Sequence, residues 1–105
     1  MTDKIVVLST CSSPEEAEKV ARKLVEERLA ACVNIVNGVR SIYRWQEKVE
    51  DASEWLLIIK TRRGLFERVR AQIERIHSYD VPEVVALPIV EGSEGYLDWL
   101  DKETS

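Results

Sequence analysis

The segment from Ala31 to Arg62 constrains the fold more than any other. ACVNIV, VRSIYRW and EWLLIIKT are rich in β-branched and aromatic residues, and no proline interrupts them. They predict a long antiparallel ribbon. Asn37-Gly38 has the chemistry of a hairpin turn and equally suits a bulge inside one long strand. In the second case the apex lies at Gln46-Glu47 or at Glu50-Asp51-Ala52-Ser53, where turn chemistry is better. A single hairpin would have arms of about 15 residues, or about 50 Å. A globule of this length has a radius of gyration of only about 13 Å. The ribbon would then overhang its own body, and Ile35, Val39, Ile42, Tyr43 and Trp45 would need cover from another chain. A homo-oligomer follows from that reading, and a shorter monomeric sheet from a turn at Asn37-Gly38.

The flanking segments complete the order. Lys4 to Leu8 reads as a buried strand. Ser13-Pro14-Glu15-Glu16 is a capping box with proline at the first helical position. Ala17, Val20, Ala21, Leu24 and Val25 then form one helical face, which ends near Glu27 to Leu29. Phe66, Val69, Ile73 and Ile76 mark a second helix, from about Gly64 to between His77 and Asp80. VPEVVALPI predicts a fourth strand bracketed by Pro82 and Pro88. Ser93 is placed to cap a last helix. The expected fold is α+β, ferredoxin-like β-α-β-β-α-β with a long central hairpin and a C-terminal helix, in one domain spanning 1–105.

Composition excludes several functions. The net charge of −4 lacks the basic surface that a nucleic-acid binder uses. No apolar run approaches the roughly 20 residues of a membrane span. MTDKIVVLSTC lacks the features of a signal peptide. Cys11 and Cys32 form no C-x-x-C pair, so free thiols in the cytoplasm are expected.

EERLAACVNI, SIYRW, LLIIKT, His77 with Tyr79 and Pro82-Glu83, and Tyr96-Leu97-Asp98-Trp99-Leu100 occur in this order. Together they resemble the CutA divalent-cation-tolerance family, over essentially the whole chain. The resemblance implies a cytoplasmic homotrimer related in architecture to PII signalling proteins. It also implies a role in tolerance of divalent metals, notably copper, with no firmly attached reaction and no organic cofactor. It suggests that Cys32 and Lys60 share an inter-subunit cleft, and it directs attention to Tyr43, Trp45, Tyr79 and Glu83 as further cleft residues. Four positions depart from the family pattern. Ser78 stands where proline is usual and Glu47 where glycine is usual. Ser9 and Ile76 occupy places where some members carry a cysteine and a second histidine. A glutamate at a positive φ is strained, so Glu47 raises the expectation of a reshaped or displaced apex.

Few residues carry chemistry. His77 is the only histidine. It can satisfy the end of a helix, ligate a metal, or act as a base. Strong copper or zinc sites draw three or four ligands from Cys, His, Asp and Glu. His77 and Cys11 are the candidate pair, with Asp80 and Glu83 as further carboxylates. Cys11, beside a helix start, is expected to be exposed and reactive, and Cys32 to be buried. Glu47, Glu50, Asp51 and Glu54 form an acidic ribbon tip, and Arg62-Arg63-Gly64 a possible anion contact. The leading expectation is a trimeric, non-enzymatic protein of copper homeostasis that binds metal weakly or signals. A PII-like sensor or scaffold holding a small anion or a partner at inter-subunit clefts is the second. A small enzyme using Cys11 or His77 ranks last.

Overall fold

The computed structural model describes residues 2–105. Four strands form one antiparallel sheet: β1 (Lys4–Cys11), β2 (Cys32–Trp45), β3 (Lys48–Arg62) and β4 (Val85–Pro88). Their spatial order is β2-β3-β1-β4. Helices α1 (Pro14–Glu26) and α2 (Phe66–Ile76) follow β1 and β3, and α3 (Glu94–Glu103) ends the chain. This is the ferredoxin-like order read from the sequence. No helix is long and apolar enough to cross a membrane.

The core lies between one sheet face and the two crossover helices. Ile5, Val7 and Cys11 of β1 and Leu57 and Ile59 of β3 meet Val20 and Leu24 of α1 and Val69 and Ile73 of α2. Strand alternation sends Val6, Leu8, Leu56 and Ile58 to the opposite face. Their neighbours there include Val85 and Leu87 of β4, 47% and 52% exposed.

Local chemistry explains most boundaries. The Ser13 side chain accepts the Glu16 amide at 3.1 Å and starts α1, with Pro14 at its first turn. Arg28 takes the left-handed position after α1 at φ +60°. Its amide bonds to Val25 and that of Leu29 to Leu24, a Schellman end built on arginine instead of glycine. The Arg28 and Arg62 guanidiniums then hold the last carbonyls of α3, on Lys102 and Thr104, each at 2.8 Å. Arg62 is thereby committed to α3, and a three-residue 3₁₀ turn, Arg63–Leu65, precedes α2.

Several expectations are corrected. The fourth strand starts at Val85, four residues later than Val81, because Val81 to Val84 carry the chain out of α2 towards the β1 edge. Ser93 stands at the start of α3 but makes no side-chain cap bond. Cys32 is only partly buried. Cys11 is fully buried, because the last residue of β1 points inward before the helix begins.

The ribbon is one hairpin, and Asn37-Gly38 is a bulge within β2. Val36 pairs with Leu56 and Val39 with Glu54, so β2 carries one residue more than β3 there, and Gly38 has φ +74°. The apex is Gln46-Glu47, with φ +50° and +66°. The strain expected of Glu47 is present, but it does not move the turn. The ladder from Val39–Glu54 to Trp45–Lys48 outweighs it. The molecule measures 44 × 25 × 23 Å, and its radius of gyration is 14.1 Å. Arms of 14 and 15 residues account for the long dimension.

Candidate functional site

Two places gather the residues singled out from the sequence. The first joins the ends of β1 and α2 to the start of α1. Cys11, Glu16 and His77 present ligand atoms within 4.8 Å of one another. The His77 ring nitrogen Nε2 is 2.6 Å from the Thr10 carbonyl oxygen. Nδ1 accepts the Tyr79 amide at 3.1 Å. A carbonyl only accepts and an amide N–H only donates, so the proton is on Nε2 and the lone pair on Nδ1 is taken. The ring is fully enclosed. Glu16 Oε2 accepts the Ser78 amide at 2.9 Å, while Oε1 is buried without a hydrogen-bond partner, 3.7 Å from the ring. Glu16 therefore bridges to the end of α2 and does not close the reciprocal half of its capping box.

Cys11 completes this cluster. Burial pushes its thiol up to about 12, and the negative charges of Glu16 and Glu54 add to the effect. This reverses the expectation of a reactive thiolate: the helix start adds no positive field that wins against enclosure.

The donor types suit copper or zinc. Their present state does not. The sulfur is protonated, and the one free imidazole lone pair is engaged by Tyr79. A metal ion there would have to displace a proton and a backbone hydrogen bond. The cluster as it stands is a lock between three elements.

The second place is a cleft of about 670 Å³ on the face away from α1 and α2. Tyr43 and Trp45 of β2, Glu54 of β3, Thr10 of β1, and Tyr79 and Glu83 of the loop before β4 line it. The bulge at Gly38 makes this possible. Before it, Cys32, Asn34 and Val36 share the face of Leu56 and Ile58; after it, Val39, Ser41, Tyr43 and Trp45 take that face. One extra residue flips the alternation of β2 and turns two aromatic rings toward Glu54.

Glu54 is 4% exposed, despite its expected place in a solvated tip. The Tyr79 hydroxyl donates to its Oε2 at 2.6 Å. Burial, with the Glu54 hydrogen bond and charge, holds the Tyr79 phenol well above the ordinary tyrosine range. Asp51 is instead clamped by Arg40 at 2.9 and 2.6 Å on the outside of the ribbon.

The structure therefore brings Tyr43, Trp45, Tyr79 and Glu83 to one cleft. Cys32 and Lys60 pair across the body end of the ribbon, outside it, where Lys60 binds Asn34. Thr10, Glu16 and Glu54 went unnoticed as site residues. The parity of β3 about Leu57 was the available signal for Glu54.

Residues 5–103 match the model of the CutA1 divalent ion tolerance protein family. The chain belongs to this family. A Divalent-cation tolerance protein CutA from Thermus thermophilus is 54% identical over 99 residues, 94% of this chain and 96% of that protein. A chloroplastic Protein CutA from Arabidopsis thaliana is 52% identical over 95% of this chain, which spans 55% of that relative's length. Among solved structures, the Thermus thermophilus protein superposes with a TM-score of 0.95 at 52% identity, covering 97% of this chain and 99% of that one. The CutA of Archaeoglobus fulgidus, described as periplasmic, gives 0.94 at 40% identity, covering 97% and 99%. These CutA proteins thus carry names from more than one compartment, and none of the names denotes a reaction.

Proposed function

We propose that this CutA-family chain serves divalent-cation tolerance as a non-enzymatic homotrimer that responds to metal weakly or signals, and is no tight metal store. One observation carries the reading: in the Cys11–Glu16–His77 cluster the thiol holds its proton and both histidine nitrogens are bound to backbone. The same facts speak against catalysis, since neither a thiolate nor a free base is available. The trimer rests on the overhanging ribbon and on the apolar sheet face that bears Val85 and Leu87. Two free cysteines accord with the cytoplasm. The anion-sensor alternative is disfavoured at the cleft, whose lining has Glu54, Asp80 and Glu83 and no basic residue; copper remains the metal of choice for a test.

Copper(II) titration and copper(I) competition with a chromophoric chelator, both on the purified oligomer, test the proposal. Affinity weaker than about 1 μM is expected, changed no more than a few-fold by Cys11→Ala or His77→Ala. Nanomolar binding abolished by both substitutions would overturn it.

A further inference from the structure

The cleft is incomplete in a single chain. Glu54 is a buried carboxylate whose only hydrogen-bond partner among the described residues is the neutral Tyr79 phenol. No cationic side chain lines the cleft, and Glu54, Asp80 and Glu83 take part in no ion pair among the described residues. An enclosed carboxylate without a counter-charge is costly. Its walls, Tyr43 and Trp45, belong to the part of the ribbon that overhangs the body and calls for cover by another chain. The missing charge is therefore to be sought on a second copy.

One part of the sheet is suited to supply it. The bulge at Gly38 divides the face away from α1 and α2 into a ribbon half and a body half. The ribbon half carries Glu50 and Glu54, with Lys48 at its apex. The body half carries Lys4, Lys60 and Arg62 beside apolar Leu56, Ile58 and Leu87. Lys4 is paired with Asp3 and Asp101, and Arg62 holds Thr104, so both are already engaged. Lys60 has the neutral Asn34 amide as its hydrogen-bond partner and no carboxylate among the described residues. Six residues of β3, about 20 Å, separate Lys60 from Glu54 within a chain, too far for a direct pair. Packing ribbon half on ribbon half would set Glu50 and Glu54 against their own copies. Packing ribbon half on body half sets carboxylate against ammonium and aromatic rings against Leu87. A head-to-tail contact of this kind closes into a ring.

We propose that Lys60 of one chain enters the cleft of the next and pairs with Glu54 there, between Tyr43 and Trp45. Tyr79 is the positioning residue: its hydroxyl holds Oε2, which leaves Oε1 to accept from the neighbouring chain's ammonium. The inference rests on the homo-oligomer of the proposed function and gives that oligomer its direction. Copper titration does not bear on it.

The test follows dissociation of the full-length oligomer on dilution, at a fixed urea concentration, by light scattering and native mass spectrometry. Glu54→Gln keeps an acceptor for Tyr79 and removes the charge. Glu54→Gln and Lys60→Gln should each weaken association about tenfold or more, and the double substitution should match the weaker single one within about threefold. Lys48→Gln should leave association unchanged. Glu54→Lys and Lys60→Glu should each assemble poorly alone, and a mixture of the two should give oligomers containing both chains. Should the Glu54 variants not fold, Lys60→Gln against Lys48→Gln decides, since both lysines reach solvent. Additive losses, indifference to Lys60→Gln, or an equal loss with Lys48→Gln overturns this contact and leaves the oligomer reading standing. A wild-type monomer at micromolar concentration overturns both.

Discussion

At the apex of the ribbon, Gln46 and Glu47 both occupy the left-handed region, which costs a side-chain-bearing residue about 1 kcal/mol or more. Glu47→Gly should raise the free energy of unfolding by about 1 kcal/mol in denaturant melts, because nothing but solvent surrounds the exposed side chain. Cys11 has the opposite character, with enclosure deciding its chemistry. Its folded value of about 12 lies above the ordinary 9.0. Its contribution to stability is therefore full below pH 9 and lost as pH climbs from about 9 towards 12. By pH 10.5 the loss should reach about 2 kcal/mol, and Cys11→Val should remove that part of the slope in melts at pH 8 to 10.5. Alkylation at neutral pH should reach Cys32 well before Cys11. His77→Ala should cost about 2–3 kcal/mol without any metal present, since it leaves the Thr10 carbonyl and Tyr79 amide unpaired.

Elements differ in how firmly their ends are made. Ser13 caps α1 through its hydroxyl, whereas Ser93 occupies the same position before α3 without that bond. Ser13→Ala should cost about 1 kcal/mol, and Ser93→Ala only a few tenths, in paired chemical melts. Helix α3 is fixed by other means: buried Leu100, the Arg62 and Arg28 bonds to its final carbonyls, and the Lys4–Asp101 pair at 3.4 Å. Sequence inspection recognised both serines because cap chemistry is local. It had no access to whether each hydroxyl points at the helix amides. Within β2, Gly38→Val should cost more than 1 kcal/mol and disturb the cleft, since a β-branched residue resists φ +74°.

On the scale of the whole molecule, the 44 Å long axis leaves much of the ribbon without cover, with Ile42 and Val49 each 65% exposed. The sheet face opposite α1 and α2 is likewise apolar around Val85 and Leu87. Surfaces of this kind mark contacts between chains. Light scattering should give about three times the 12.1 kDa chain mass at micromolar concentration. Leu87→Lys should shift that mass towards monomer, and an unchanged wild-type monomer would refute the shared-surface argument.

Periodicity by itself determined the order of strands and helices, the start of α1 and the excess length of the ribbon, while α2 ends at Ile76, just short of the His77 to Asp80 range expected for it. Each depends on neighbours a few residues apart, or on counting residues against the size of a globule. Gly38 was legible as a turn or a bulge, and Glu47 as a strained turn residue. Only the tertiary structure chose between these readings, because the β2–β3 register is a sum over the whole ladder and no single residue sets it. That choice placed Tyr43 and Trp45 beside Glu54. Three-dimensional packing also turned Cys11 inward and gave one nitrogen of His77 to the distant Thr10 carbonyl, while the other accepts the neighbouring Tyr79 amide. Side-chain chemistry there follows from enclosure and from partners up to 67 residues away, which local sequence does not encode.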